Sequence, residues 1–179
     1  METIQLYKSE PLTRQKIKNL AHSILKFLGL SEELYFPAPS ILEKLHLFVP
    51  DAHYEILPTN QMEKHAETDV VSKTLYIRED VYIRACNGKG RDRMTIVHEF
   101  AHLILICVYG LKLYRTYGKR PRAYEDPEWQ AKCLAGELMM NSNLIIGMTA
   151  DEIVKNCGVS KDAAEFQLSR NKNDAPFFK

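Results

Sequence analysis

The sequence predicts an α+β fold, and three observations lead to this prediction. Apolar residues recur at helical spacing near the N-terminus and again through the second half of the chain. Short β-like runs lie between these helical segments, from His53 to Ile77. A chain of 179 residues with 45% hydrophobic residues suits one compact domain with a small appendage. We therefore expect a helical domain with a small antiparallel β-sheet over residues 1–148 and a C-terminal helical subdomain and tail over 149–179.

Two helices are predicted before the strands. Between Pro11 and Leu28 the apolar residues repeat every three or four positions, and Gly29 follows as a helix terminator. A second, short helix is predicted from Ser40, because Ser40 and Glu43 have the spacing of a capping box.

The middle of the chain has the pattern of strands. His53–Pro58 is predicted to form one strand, and Thr68–Ile77 two short strands separated by a turn. A short helix is expected at Asp80–Cys86, followed by a glycine-containing loop at Asn87–Gly90.

The second half of the chain is predicted to be mainly helical. One strong helix spans Asp92–Tyr109, and a second spans Glu128–Met140, with Asp126 as its cap and Pro127 at its first position. The sequence between them, Gly110–Pro127, is rich in Tyr and Arg and predicts no definite structure.

The C-terminal segment is predicted to be a pair of helices. They cover Ala150–Asn156 and Lys161–Arg170, and Thr149 and Glu152 form a capping box before the first of them. A frayed tail is expected after Asn171.

Composition excludes several classes of protein. The net charge of +1 gives no general signal for binding polyanions. No apolar run is long enough to span a bilayer, and the N-terminus lacks the apolar core of a signal peptide, so we expect a cytoplasmic protein without membrane contact. The four cysteines form no C-x-x-C pair, which argues against a cysteine zinc knuckle and predicts reduced thiols.

The most informative motif is H-E-x-x-H, formed by His98, Glu99 and His102 inside the apolar run Met94–Leu105. On a helix, residues four apart lie about 40° apart in projection and about 6 Å apart along the axis, so both imidazoles can reach one metal ion. Glu99 is rotated by about 100° and is placed to act on a water molecule instead. This geometry predicts a zinc site, with Glu99 as the base that takes a proton from water.

A structural alternative is that both histidines are core residues on an apolar helix face. The motif arises by chance in a chain of this length with a probability on the order of one per cent or less. Two buried imidazoles beside a buried carboxylate are also costly without a metal. We therefore favour the zinc site.

A catalytic zinc needs a third protein ligand. No third histidine follows at the spacing of the longer H-E-x-x-H-x-x-G-x-x-H motif. Glu128 is the favoured candidate, because it opens the next apolar helix, which would pack on the zinc-bearing helix. Glu125 and Asp126 are its competitors.

Three segments resemble the ImmA/IrrE family of metallopeptidases. They are Arg91–Leu105, Glu128–Met140 and Val159–Leu168, and the resemblance extends over about residues 41–168. The chain departs from the usual family residues at five positions: Met94 for Phe, Ala101 for Gly, Lys132 for Asn or Asp, Leu134 for Phe and Asn141 for Pro.

The resemblance implies a zincin-like site and an activity. His98, His102 and Glu128 would be the Zn²⁺ ligands and Glu99 the catalytic base of a zinc-dependent endopeptidase. Lys132 cannot orient a ligand as Asn or Asp would. The resemblance also implies a protein substrate, namely a transcriptional repressor of a mobile element or a stress regulon.

Two non-catalytic functions remain as alternatives. Thr149–Arg170 has the pattern of a helix-turn-helix, which would make the protein a regulator that binds a repressor or DNA. Its second helix carries few cations, which disfavours DNA binding. The second alternative is a zinc-bound sensor or degenerate peptidase that acts by binding alone.

Other features of the sequence suggest roles without assigning them. The basic segment Lys112–Arg122 could bind an acidic partner or nucleic acid, although a solvated loop is the favoured interpretation. A strand within Thr68–Ile77 could bind substrate by edge pairing. The candidate donors to an oxyanion are Tyr109, Tyr114, Tyr117, Tyr124 and His65.

Overall fold

The computed structural model describes residues 6–116 and 121–174, and over these residues the predicted α+β fold is confirmed. The α-helices are α1 (Arg14–Phe27), α2 (Glu79–Cys86), α3 (Gly90–Leu103), α4 (Pro127–Met139), α5 (Ala150–Cys157) and α6 (Lys161–Asp174). The strands are β1 (Leu6–Ser9), β2 (His53–Leu57), β3 (Ala66–Asp69), β4 (Thr74–Arg78) and β5 (Leu113–Thr116). Short 3₁₀ helices cover Pro39–Leu47 and Ala123–Glu125, and a π-helical turn covers Ile104–Val108.

The strands form two small sheets. Strands β1 and β5 make an antiparallel pair in which Ser9 lies opposite Leu113. The second sheet is mixed, because its central strand β4 pairs parallel with β2 and antiparallel with β3. Strand β5 lies in the connection for which the sequence predicted no definite structure. Strand β3 is an edge of the mixed sheet, and this position matters for the site.

Helix α1 starts three residues later than predicted. Its N-cap is Thr13, whose hydroxyl accepts a hydrogen bond from the backbone N–H of Lys16 at 3.4 Å. The residue before it, Leu12, is buried and donates its backbone N–H to the carbonyl of Tyr124 at 2.8 Å. Pro11 and Leu12 therefore belong to the contact with the connection that precedes α4.

The capping box predicted at Ser40 is wrong. The segment is a 3₁₀ helix whose N-cap is Ala38, and no side chain caps it. The Glu43 carboxylate instead accepts a hydrogen bond from the hydroxyl of Tyr54 on β2. Glu43 thus bonds to Tyr54, a partner from another element, and not to Ser40 in its own segment.

The strands predicted in the middle of the chain are confirmed, with small shifts in their bounds. Strand β3 begins at Ala66, two residues earlier than expected, and β4 extends to Arg78. Lys73 in the turn between them adopts a positive φ of 57°. Helix α2 follows directly, as predicted.

Helix α4 lies at the centre of the core. It packs against both α3 and α1. Ile96, Val97 and Phe100 of α3 are completely buried, as are Leu134 and Ala135 of α4. The predicted apolar helix face is thus confirmed, and it fixes the zinc-motif helix against the helix that begins with Glu128.

Arg93 anchors α3 to the corner between α5 and α6. Its buried guanidinium donates to the carbonyls of Cys157 at 3.0 Å, Phe36 at 2.5 Å and Gly158, and it stacks 3.9 Å from the ring centroid of Tyr35. Gly158 has a φ of 63°, and a Cβ there would lie 2.1 Å from an Arg93 nitrogen. Only glycine both adopts this positive φ without strain and leaves room for the Arg93 guanidinium.

The C-terminal helices follow the prediction closely. The capping box of Thr149 and Glu152 is present at the start of α5. Helix α6 continues to Asp174, four residues beyond its predicted end, and the rest of the expected frayed tail lies outside the described residues. Ile153 and Ala164 join the common hydrophobic core, while the division of the chain after residue 148 stays a prediction. Over the described ranges, no helix is long and apolar enough to cross a membrane.

Candidate metal centre

Three predicted ligands converge in the folded chain. The Nε2 atoms of His98 and His102 lie 3.1 Å apart. Each is 3.2 Å from a carboxylate oxygen of Glu128, His98 from Oε2 and His102 from Oε1. The ligand atoms of all three residues lie within 4.8 Å of one another.

These separations fit a tetrahedral metal ion. With zinc bonds of about 2.0–2.1 Å, ligand atoms at tetrahedral corners are about 3.3 Å apart. Imidazole and carboxylate are also donors that zinc accepts. Hydrogen bonds among His98, His102 and Glu128 account for this arrangement less well than a metal ion does. If both histidine Nε2 atoms carry a hydrogen to donate to Glu128, the two N–H groups face each other across 3.1 Å.

The histidines are positioned by the buried face of α3. Their side chains are 18% and 15% exposed, so each ring is held by the packed helix with its tip at the surface of a cavity. The rings meet edge to face, with centroids 4.6 Å apart. Helix spacing and core packing together therefore set the directions of both imidazoles.

Glu128 is positioned by the start of α4. Asp126 caps this helix by accepting a hydrogen bond from the backbone N–H of Glu128 at 3.0 Å, and Pro127 occupies the first turn, both as predicted. Glu125, the other competitor for the metal, pairs with Lys8 at 2.6 Å. Neither Glu125 nor Asp126 belongs to the cluster found among the described residues.

The histidines also set the charge of the third member. A hydrogen bond from His102, and a smaller contribution from His98, hold the pKa of the Glu128 carboxyl well below its usual range. The carboxyl is thus ionised at neutral pH, which is the form that binds a metal.

Glu99 points to a different partner. Its Oε2 lies 2.7 Å from the hydroxyl of Thr68 on β3, which is also 2.9 Å from the Glu99 backbone carbonyl. The hydroxyl has one hydrogen, so it can donate to only one of these acceptors at a time. Thr68 was predicted as a strand residue, and its contact with Glu99 could not be inferred because 31 residues separate them.

A cavity of about 630 Å³ lies in front of the cluster. Its walls include Glu67, Thr68 and Lys64 from the region of β3 and Tyr7 from β1. Lys64 and Glu67 form an ion pair of 2.5 Å at its edge, which raises the pKa of Lys64. The cavity is large enough for a segment of extended peptide.

The predicted oxyanion donors do not line this cavity among the described residues. The hydroxyl of Tyr114 donates to Glu10 at 3.3 Å, and that of Tyr124 accepts from Arg122 at 2.6 Å. Tyr109 and His65 are exposed, and neither lies on the cavity wall; Tyr117 lies outside the described residues.

Lys132 is not a member of the cluster of His98, His102 and Glu128. It is exposed on α4 and lines a separate groove that also contains His98. The departure from the usual Asn or Asp thus places a cation beside that groove.

Comparison with known proteins identifies a family. A family model described as the IrrE N-terminal-like domain, from a class of peptidases, matches residues 55–169. The match covers well over half of the chain and includes His98, Glu99, His102 and Glu128. No curated protein and no solved structure matches the chain.

Proposed function

This chain belongs to the peptidase family of the IrrE N-terminal-like domain, and we propose that it is a zinc-dependent endopeptidase. Membership of the family implies a metallopeptidase-like function. The enzyme would hydrolyse a peptide bond in a protein substrate. The observation that carries the proposal is the convergence of His98, His102 and Glu128 beside Glu99. In this proposal the first three residues hold zinc, and Glu99 is the catalytic base.

The residues of this chain can supply the steps of hydrolysis. When bound, zinc would act as a Lewis acid and lower the pKa of water. Glu99 would take a proton from the attacking water and pass it to the leaving amine. The hydroxyl of Thr68 would hold the Glu99 carboxylate in the direction that this transfer requires.

The edge strand β3 supports a mode of substrate binding. It pairs with β4 on one side, and its residues Glu67 and Thr68 line the cavity of the metal centre. An extended substrate segment would add to its free edge through backbone hydrogen bonds. Its scissile bond would then lie beside Glu99.

We further propose that the substrate is a transcriptional repressor of a mobile element or a stress regulon, and that the protein acts in the cytoplasm, where such repressors bind DNA. The resemblance of the sequence to the ImmA/IrrE family supports this part of the proposal. A repressor encoded beside this gene would be the first substrate to test.

Glu99→Gln is the variant that tests the proposal. It keeps the size of the side chain and removes its basicity, so we expect the rate of repressor cleavage to fall by about a thousandfold. Zinc content, measured by mass spectrometry of the purified protein, should remain at the level of the unaltered chain. Undiminished cleavage by Glu99→Gln would refute the assignment of the base.

The regulatory alternative has a direct test of its own. A mobility-shift assay would detect DNA binding through the helix pair α5 and α6. Tight, sequence-dependent binding by Glu99→Gln would show that the protein acts as a regulator without cleavage.

A further inference from the structure

A second concave surface adjoins the metal centre. We call it the α3–α4–α6 groove, since helices α3, α4 and α6 form its walls; its volume is about 340 Å³. Its surface is mainly apolar and is lined by Met94, Ala135, Met140, Ala163 and Phe166. Phe166 is 56% exposed, so its ring is accessible to a ligand in the groove.

The groove communicates with the metal centre through one residue. His98 lines both the groove and the cavity in front of the zinc motif. A peptide with its scissile bond at the metal centre can therefore place a nearby side chain in the groove. The volume of the groove is enough for one or two large apolar side chains.

Charge distinguishes the groove from the cavity. Arg91, Lys132 and Arg170 lie along the groove, and none of the described residues that line it is Asp or Glu. Arg170 stacks on aromatic rings instead, 5.4 Å from the centroid of Trp129 and 4.4 Å from that of Phe166. These three cations make the groove complementary in charge to a negatively charged ligand.

We propose that the α3–α4–α6 groove is the specificity site of the enzyme. It binds a bulky apolar side chain of the substrate that is flanked by Asp or Glu and lies within a few residues of the scissile bond. This inference rests on the proposed peptidase function, because it takes the substrate to be the ligand of the groove. It defines the substrate class as an acidic segment with an apolar anchor.

The chain contains a reporter for this site. Trp129 is its only tryptophan, and its ring is one of the two aromatic rings on which Arg170 stacks at one end of the groove. Ligand binding near Arg170 should change the fluorescence of Trp129. Binding can therefore be measured without any cleavage.

The experiment titrates zinc-loaded Glu99→Gln protein with capped eight-residue peptides that lack Trp and Tyr. The first peptide has Leu-Phe flanked by Glu, the second replaces Glu with Lys, and the third replaces Leu-Phe with Ser-Ser. We expect saturable binding of the first peptide, and affinities at least about tenfold lower for the other two.

Variants of the groove sharpen the measurement. In the Glu99→Gln background, Lys132→Glu reverses a charge of the groove at an exposed position and should weaken binding of the first peptide by about tenfold. Phe166→Ser should weaken it several-fold through lost apolar contact. Lys26→Glu, on the exposed surface of α1, is the matched control and should leave the affinity unchanged.

The outcomes separate this inference from the proposed function. Selective binding that depends on Lys132 supports the groove as the binding site for an acidic segment with an apolar anchor. This conclusion holds even if the unaltered protein cuts nothing, in which case the peptidase proposal fails and the binding site remains. Equal binding of the Glu and Lys peptides, or unchanged affinity of Lys132→Glu, overturns the groove even if the repressor is cleaved. A dimer in sedimentation velocity that Lys132→Glu dissociates would assign the groove to a second copy of the chain and also overturn it.

Discussion

Helix α3 carries two polar clusters that are completed in different ways. At its N-terminal half, the buried guanidinium of Arg93 is matched by backbone carbonyls of the chain. At its C-terminal half, His98 and His102 meet Glu128 with ligand atoms 3.1–3.2 Å apart. In the first cluster the protein itself supplies acceptors for both terminal nitrogens of Arg93, and only its buried Nε has no hydrogen-bond partner. The second cluster is suited to bind a cation.

The difference teaches how one helix can serve both the fold and the site. Arg93 joins α3 to the corner of α5 and α6 and to the segment around Phe36, so its contacts are structural. The histidines use the same helix as a rigid support but keep their ring tips at a cavity. Anchoring one end of α3 fixes the direction of the ligands at the other.

The largest expected effect is the loss of the Arg93 cluster. Arg93→Met keeps the length and helix propensity of the side chain but leaves three carbonyls without their donor. We expect the free energy of unfolding to fall by about 3–5 kcal/mol, because each buried carbonyl left unpaired costs about 1–3 kcal/mol. Urea denaturation of the metal-free protein measures this change.

The same helix supplies the control. Arg91 is two residues away and exposed, so Arg91→Met should change the stability by less than about 0.5 kcal/mol. If Arg93→Met were as stable as Arg91→Met, Arg93 would not be the anchor of the fold.

The second prediction concerns the cluster that a metal would close. Glu128→Ala should lower zinc affinity by about a hundredfold, or about 2.7 kcal/mol, because it removes the only carboxylate of the cluster. Competition with a chromophoric chelator measures this affinity. The stability of the metal-free protein should change by less than about 1 kcal/mol, since the Glu128 side chain is 59% exposed.

Glu125→Ala is the matched control for Glu128→Ala. It removes a glutamate three residues earlier that pairs with Lys8 outside the cluster, so zinc affinity should not change. Equal affinities for Glu128→Ala and the unaltered protein would place the third ligand elsewhere.

The two clusters also differ in how far the sequence predicts them. The histidine pair follows from local rules, because helix spacing places His98 near His102. The ends of most helices and the middle strands follow from similar local signals, including the Asp126 cap at the start of α4. The preference for Glu128 over Glu125 and Asp126 depended on the expected packing of two helices and on the family resemblance, because only the contact between α3 and α4 brings Glu128 to the histidines.

The features that could not be predicted from the sequence depend on contacts between residues far apart in the chain. The Arg93 anchor joins residues 57 and 64 positions apart, and strand β1 pairs with β5 across more than a hundred residues. The Ser40 capping box failed because Glu43 bonds to Tyr54 instead. A local pattern cannot show which of two available partners lies closer in the folded chain.

The smallest expected effect tests Thr68, which joins the metal-centre half of α3 to the edge strand β3. Thr68→Val keeps the shape of the side chain and removes the hydroxyl that lies 2.7 Å from Glu99. We expect kcat for cleavage of the repressor to fall by about tenfold, or about 1.4 kcal/mol, with KM and zinc affinity unchanged. Thr68→Ser restores the hydroxyl and should recover most of kcat. A residue that only supported the strand would alter KM or stability, and serine would not restore kcat. A rise in KM without a change in kcat would therefore assign Thr68 to the substrate-binding edge of β3 and not to the positioning of Glu99.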